Sequence, residues 1–251
     1  MNSHVPISDK HFVLATDLDG TFLGGSDAER RALYDWIEAN RDTVGLIFVT
    51  GRDPHFIEGM CGDGLPWPEY VIGDVGTTIA QVLDGKVTPL HPLETEIAAR
   101  WGDAGGKVRA ALAEAPGLRL QPTDFRYRVS YDLDPDAFDD TAHGIVDDMG
   151  LDTLISDNRY FDVLPKGISK GPSLRLLADH LGVEHCRLLA AGDTMNDYSM
   201  LALGLPAVAV GGSEQALLDR LAGQDHVYRA RAIGAAGIHE AIGALNLHPN
   251  V

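Results

Sequence analysis

Two aspartates, Asp17 and Asp19, stand two positions apart in the segment Asp17-Leu18-Asp19-Gly20-Thr21. This segment directly follows the apolar run 12–15, which is typical of a buried parallel strand. Ligands of open α/β sheets bind at the carboxyl ends of the strands, and two carboxylates this close repel each other unless a cation or a proton lies between them. The spacing therefore predicts a Mg²⁺ site. A solvated turn is the alternative, because Asp and Gly are common turn residues.

Two further apolar runs end in polar groups that would complete such a site. These groups are Thr50-Gly51-Arg52 after the run 44–49 and Asp193-Thr194-Met195-Asn196-Asp197 after the run 187–191. Parallel strands bring their carboxyl ends to one edge of a sheet, so residues far apart in sequence become neighbours there. Lys170, at the predicted start of a helix, adds an ammonium group. The combined set predicts Mg²⁺ and a substrate phosphate as ligands.

The residue types suggest a division of roles in phosphate chemistry. Asp17 would act as the nucleophile and form an aspartyl-phosphate, and Asp19 would act as general acid and base. Thr50 would hold phosphate oxygens, and Lys170 would neutralise them. Lys166 competes with Lys170 for that role, but the helix start at Lys170 favours the latter. Arg52 either steadies the phosphate or a sugar hydroxyl, or pairs with a surface acid.

The positions of apolar runs predict how the chain is organised. Strand-like and helix-like segments alternate at both ends, which indicates an α/β fold with a doubly wound parallel sheet, a Rossmann-like core. The pattern changes between about 88 and 159, where helix-like segments flank the alternating stretch 125–131. We therefore predict a core domain from residues 1–87 and 160–251 and an inserted α+β cap from 88–159. Within the alternating stretch, a solvated face that contains Arg126 and Arg128 is favoured over a sugar-binding role.

Composition narrows the classes of partner. The 251 residues include 20 Lys and Arg against 37 Asp and Glu, a formal charge of −17, which repels nucleic acid and anionic membranes. Two cysteines, Cys61 and Cys186, without metal-ligand spacing predict a reducing cytoplasm. No apolar run approaches transmembrane length. The oligomeric state has no signature in the sequence.

The four clusters, in their order along the chain, resemble the motifs of the haloacid dehalogenase superfamily of phosphatases. The matching segments are Asp17-Leu18-Asp19-Gly20-Thr21, Thr50-Gly51-Arg52, Ser169-Lys170-Gly171 and Gly192-Asp193 through Asn196-Asp197. The resemblance implies Mg²⁺ held by Asp17, the backbone carbonyl of Asp19, and Asp193. It also implies that Asp197 and Asn196 support the metal site or the phosphate.

Three further stretches resemble the sucrose-phosphate phosphatase group, whose relatives include mannosylfructose-phosphate phosphatase. They are 74–79, 161–166 and 236–238. The resemblance implies substrate contacts from Gly76 and Thr77, in addition to Thr50, Gly51, Arg52, Lys170 and Asn196. The chain departs from this group at Thr194-Met195 and at Thr78. These departures leave the phosphatase prediction unchanged, but they leave open which sugar phosphate is the substrate.

The expected function is a Mg²⁺-dependent phosphatase that acts on a small-molecule sugar phosphate, foremost a disaccharide phosphate such as sucrose 6-phosphate. Mannosylfructose phosphate and other sugar phosphates are alternative substrates. A phosphosugar mutase is an alternative reaction. A phospho-ligand-binding protein without catalysis is the alternative from another class, and the intact set of acids and Lys170 argues against it.

Overall fold

The computed structural model describes residues 5–251. The strands are β1 (Phe12–Thr16), β2 (Val44–Val49), β3 (Tyr70–Gly73), β4 (Thr78–Leu83), β5 (Lys86–Pro89), β6 (Leu118–Leu120), β7 (Val129–Leu133), β8 (Leu151–Ser156), β9 (Tyr160–Pro165), β10 (Leu188–Gly192), β11 (Ala207–Gly211) and β12 (Val227–Ile233). The helices are α1 (Asp27–Ala39), α2 (His55–Gly62), α3 (His91–Trp101), α4 (Ala104–Ala111), α5 (Thr141–Asp148), α6 (Lys170–Leu181), α7 (Tyr198–Leu201), α8 (Gln215–Arg220) and α9 (Ala235–Ala244).

The larger sheet has eight strands in the order β12-β11-β10-β1-β2-β3-β4-β5. The six strands from β12 to β3 are parallel, which confirms the doubly wound α/β prediction. The β4–β5 hairpin extends the sheet in antiparallel fashion, a feature that was not predicted. The chain moves outward from β1 to β3 and later returns to place β10 on the other side of β1. The boundary between β1 and β10 is therefore the topological switch point, where ligands bind in such sheets.

Both faces of this sheet are covered, so its central strands are buried throughout. Every residue of β1, β2 and β10 is buried. Successive residues of β1 point to opposite faces: Val13 packs with Leu177 and Met200 on one side, and Leu14 packs with Ile37 and Ile238 on the other. Two apolar layers of this kind explain why the strands read as continuous apolar runs.

Local signals set the ends of the helices that cover the sheet. Helix α1 begins with a capping box, in which the Ser26 hydroxyl accepts a hydrogen bond from the Glu29 N–H and the Glu29 carboxylate accepts one from the Ser26 N–H. Helix α6 is followed by Gly182, whose left-handed φ of 71° is typical of a residue that terminates a helix. Among residues 5–251, no helix has the length and apolar character needed to span a bilayer.

A second sheet of four antiparallel strands, in the order β6-β7-β9-β8, lies in the inserted region. Its apolar core contains Val108, Tyr131, Val146 and Phe161, so helices α4 and α5 pack on one face. The predicted strand over 125–131 is wrong in extent, because β7 begins only at Val129.

The second sheet also corrects the predicted end of the insertion. Strand β9 pairs with β7 and β8, so the chain does not return to the larger sheet at residue 160. Strands β8 and β9 are hydrogen-bonded to each other and so belong to one domain, whereas a boundary at 159/160 would assign them to different domains. We propose that the cap comprises residues 90–165 and that the core comprises the remainder.

Candidate active site

The loop after β1 places the first two acids. Asp17 is buried and its N–H donates to the Ala191 carbonyl at 2.9 Å, which anchors it to the neighbouring strand β10. Gly20 has a φ of +80°, a conformation that side chains with a Cβ rarely adopt. A Cβ on Gly20 would also collide with the Asp193 carboxylate. Gly20 therefore allows this loop to lie directly against the fourth cluster.

Lys170 is fully buried and joins the first cluster to the fourth. Its Nζ donates to Asp17 Oδ1 at 2.7 Å, Asn196 Oδ1 at 2.7 Å and Asp197 Oδ1 at 2.6 Å. Burial alone lowers the pKa of Lys170, but the carboxylates of Asp17 and Asp197 outweigh it and hold the pKa above its usual value. The side chain is therefore an ammonium whose three protons all have acceptors.

Lys166, the alternative to Lys170, lies elsewhere. Its side chain is 59% exposed and pairs with Asp147 at 3.2 Å and Asp152 at 2.9 Å. The structure therefore brings Lys170, and not Lys166, to the acidic cluster.

Three carboxylates crowd this part of the site. Asp17, Asp193 and Asp197 each offer one oxygen within 4.8 Å of the others. Burial, followed by repulsion from Asp197, raises the pKa of Asp193 to about 7. Burial also raises the pKa of Asp17, and Lys170 offsets this only in part. The cluster thus has an excess of negative charge, which either a proton or a cation would relieve.

Asp197 uses both of its oxygens within the protein. Oδ1 accepts from Lys170, and Oδ2 accepts from the N–H groups of Asp193 and Thr194 at 2.9 and 3.0 Å. Asp197 is therefore placed to shape the loop after β10 and to hold Lys170, in agreement with a supporting role, and direct ligation of a metal by Asp197 stays a prediction. Asp193 accepts one hydrogen bond, from Thr21 Oγ1 at 2.7 Å, and keeps its second oxygen free of hydrogen bonds from the described residues.

The donor chemistry fits Mg²⁺. This hard cation prefers a few carboxylate oxygens and keeps several waters. Asp17 and Asp193 supply such oxygens, and the ammonium of Lys170 pairs with two of the three clustered carboxylates. A divalent cation would cancel the remaining negative charge.

Asp19 does not share the cluster of buried acids. Its carboxylate accepts two hydrogen bonds from Arg52, from Nε at 2.7 Å and from Nη2 at 2.6 Å, in the bidentate geometry that arginine favours. The sequence left the partner of Arg52 open between ligand and surface acid, and the structure pairs it with Asp19. The Arg52 N–H in turn donates to the hydroxyl of the buried Thr50 at 3.1 Å.

The loop after β3 supports the site from behind. Asp74, Val75 and Gly76 have consecutive positive φ values of 52°, 59° and 103°, which is strained for a β-branched residue such as Val75. A Cβ on Gly76 would collide with the carbonyl group of Ser169 and would lie 2.7 Å from the backbone nitrogen of Lys170. The Thr77 hydroxyl donates to the Asp74 carbonyl at 3.0 Å. Gly76 and Thr77 thus lie behind Lys170 and outside the lining of the cavity, which differs from the predicted substrate contacts.

A cavity of about 580 Å³ opens between the two sheets. The larger sheet and its loops supply Asp17, Asp19, Gly20, Gly51, Arg52, Val75, Asp193, Thr194 and Asn196, and the inserted region supplies Gln121, Arg128, Ser156, Asp157, Tyr160 and Asp162. The volume lies within the range of small-molecule sites, roughly 300–1,000 Å³. Thr50 and Lys170 stand behind the lining, where they hold Arg52 and Asp17.

Sequence reasoning missed most of the lining from the inserted region. Arg128 was predicted on a solvated face, whereas it is 6% exposed and donates to the Gly51 carbonyl at 3.0 Å. Asp162 also went unassigned. Its charge between the apolar residues Phe161 and Val163 was the available signal, because a buried carboxylate needs a partner.

A protein-family model described as sucrose-6F-phosphate phosphohydrolase matches residues 10–246. The chain belongs to this family. The resemblance to the sucrose-phosphate phosphatase group that the motifs suggested is thereby confirmed.

The proteins that are similar to this family member have different lengths and different names. A glucosylglycerol-phosphate synthase of Pseudomonas anguilliseptica is 38% identical over 231 residues, which are 91% of this chain and 30% of that protein. The chain thus spans about a third of that relative. A mannosylfructose-phosphate phosphatase of Agrobacterium fabrum is 28% identical, over 94% of this chain and 98% of its own. The crystal structure of the sucrose-phosphatase of Synechocystis, in complex with sucrose and phosphate, has the same fold, with a TM-score of 0.86 at 24% identity over 94% of this chain and 98% of that one.

Proposed function

We propose that this chain is a Mg²⁺-dependent phosphatase that hydrolyses a sugar phosphate through an aspartyl-phosphate at Asp17. One observation carries the proposal: the buried ammonium of Lys170 fixes Asp17 at the switch point of the sheet, beside the cavity of about 580 Å³. The family assignment supports the same reaction class.

The geometry supports distinct roles for the two acids of the first cluster. An oxygen of Asp17 attacks phosphorus and the bond from phosphorus to the sugar oxygen breaks. Asp19, in a protonated form that has released one of its hydrogen bonds to Arg52, gives its proton to the leaving alkoxide. Asp19 then takes a proton from water, whose oxygen attacks phosphorus and releases inorganic phosphate and free Asp17. Lys170 holds the Asp17 carboxylate in place by a hydrogen bond to Oδ1, which leaves Oδ2 for the attack. Arg52 orients Asp19 through its bidentate pair.

Mg²⁺, held by Asp17, the Asp19 carbonyl and Asp193, would shield the negative charges of nucleophile and phosphate from each other and stabilise charge in the transition state. The crowding of Asp17, Asp193 and Asp197 supports this ligand set.

The relatives favour a phosphorylated glycoside as substrate. Sucrose 6-phosphate and mannosylfructose phosphate are the candidates that the family and the Agrobacterium relative support. Glucosylglycerol phosphate is the second candidate, because the Pseudomonas relative named for its synthesis contains a segment that is 38% identical to this chain. A segment of this family would remove the phosphate that such a synthase leaves on its product.

A phosphate-release assay tests the proposal. We expect Mg²⁺-dependent release of inorganic phosphate from at least one of sucrose 6-phosphate, mannosylfructose phosphate, glucosylglycerol phosphate, trehalose 6-phosphate and several hexose phosphates, and loss of release in EDTA. Asp17→Asn should lower kcat by at least roughly a thousandfold while the thermal transition remains cooperative. An isomeric sugar phosphate as product would identify a mutase, and full activity in Asp17→Asn would exclude the mechanism.

A further inference from the structure

Asp162 is a buried carboxylate in the middle of β9. It faces Ser130 of β7 in register, on the sheet face opposite to the apolar core that contains Phe161 and Val163. That face lines the cavity between the two sheets. Asp162 is only 4% exposed, so its charge is held away from bulk water.

One oxygen of Asp162 is anchored and the other is free of protein partners. Oδ1 accepts from the Ser130 hydroxyl and from Arg128 Nη1, the latter at 3.4 Å. Among residues 5–251, no side chain or backbone group donates a hydrogen bond to Oδ2. Burial raises the pKa of Asp162, and the nearby Arg128 guanidinium partly opposes this rise. A buried carboxylate with an unused oxygen gains most from a donor supplied by a ligand.

Arg128 fixes Asp162 relative to the reacting groups. Its Nη2 donates to the Gly51 carbonyl at 3.0 Å and lies 3.6 Å from Asp74 Oδ1, and its guanidinium stacks 3.6 Å above the ring of Phe125. Gly51 immediately precedes Arg52, which holds Asp19. Buried contacts of Arg128 therefore fix Asp162 relative to the loop that carries Gly51, and the half-exposed Arg52–Asp19 pair continues from that loop to the catalytic acid.

The end of the cavity that Asp162 lines favours a ligand with hydroxyl groups, which donate hydrogen bonds. A carboxylate repels the phosphate, which belongs at the other end of the cavity with the nucleophile Asp17 and the guanidinium of Arg52. A metal is not indicated, because the one metal-capable group of acids among the described residues is Asp17, Asp193 and Asp197. Sugar hydroxyls are neutral donors, and a carboxylate accepts from them strongly.

We propose that Asp162 is a specificity-determining residue that accepts hydrogen bonds from hydroxyl groups of the substrate's sugar through Oδ2, with Ser130 and Arg128 as its positioning residues. This inference rests on the proposed sugar-phosphate phosphatase function and names the residue by which that site distinguishes a sugar from other phosphate esters.

The test compares two classes of substrate in Asp162→Asn. With the sugar phosphate that the panel identifies, kcat/KM should fall roughly 10- to 150-fold, the loss of a hydrogen bond to a charged acceptor. With p-nitrophenyl phosphate, which has no hydroxyl groups to offer, kcat/KM should change less than about twofold. Asp162→Glu, which keeps the charge but displaces it by one methylene, should show the same split. Asp147→Asn, an exposed acid of the cap, is the matched control and should change neither substrate.

Binding provides a readout that does not depend on turnover. Calorimetric titration uses sucrose and the other dephosphorylated sugars of the panel, whichever substrate is hydrolysed. A sugar that binds the wild type should bind Asp162→Asn more weakly by the same factor. Equal losses for both substrates, or unchanged binding of the sugar, would overturn the inference. Absence of phosphate release by the wild type would refute the proposed function instead, and the sugar titration would still decide the role of Asp162.

Discussion

Replacing Lys170 by Met removes the buried ammonium and keeps a side chain of similar length. Asp197 then loses its partner at 2.6 Å with no exposed surface to bind water in exchange, and Asp17 loses its partner at 2.7 Å and keeps only its contact with the cavity. Breaking a buried ion pair from one side costs about 3–5 kcal/mol of unfolding free energy. For a chain of this size, that predicts a fall in Tm of roughly 6 to 20 °C. Because the ammonium also positions the nucleophile, kcat should fall by about 10²- to 10³-fold.

The first assay is thermal unfolding of the wild type and Lys170→Met in EDTA, so that no metal neutralises the carboxylates that have lost Lys170. The second assay is steady-state kinetics in Mg²⁺. Lys166→Met is the matched control, since this lysine lies on the surface and pairs with exposed acids. It should leave both Tm and kcat close to those of the wild type. An unchanged Tm in Lys170→Met would refute the reasoning, and so would an equal loss of kcat in Lys166→Met.

Two other substitutions test residues that position the catalytic groups. Gly76→Ala combines a φ of +103° with a Cβ only 2.7 Å from the backbone nitrogen of Lys170, so it should lower the unfolding free energy by more than about 2 kcal/mol and reduce kcat. Gly182→Ala is the control, with a φ of +71° and open space around its Cβ, and it should cost only about 1 kcal/mol and leave kcat unchanged. Equal effects of the two glycine variants in denaturant titrations and kinetics would exclude the packing argument. Arg52→Lys replaces a bidentate pair by a single donor to Asp19, so kcat should fall roughly tenfold, and a kcat equal to that of the wild type would show that Arg52 does not orient this acid.

The core of the fold was predictable because its signals are local. An apolar run that ends in a polar group identifies both a buried strand and the sheet edge to which its last residue belongs. Asp17 and Asp193 could therefore be brought together from the sequence alone, although they lie on opposite sides of the switch point. Lys170 followed from the same reasoning, since a helix start next to that edge places an ammonium near both.

The contacts between core and cap were not predictable on this basis. Alternation along 125–131 indicates which residues share a face, but it does not say whether water or another domain covers that face. Arg128 is buried because the loop that carries Gly51 lies against it, and no local pattern encodes that docking. The pairing of Arg52 with Asp19 has the same origin, since the two residues come from loops after different strands.

The direct passage of β9 into α6 has a consequence for chimaeric enzymes. Only residues 166–169 separate the end of β9 from Lys170. The segment 162–170 therefore carries both the carboxylate that would select the sugar and the ammonium that holds the nucleophile. A recombinant that exchanges residues 90–157 between two relatives would keep Asp162 from the recipient, and with it the part of substrate preference that this residue sets. Transfer of that preference requires a crossover after Pro165, within the short stretch that precedes Lys170.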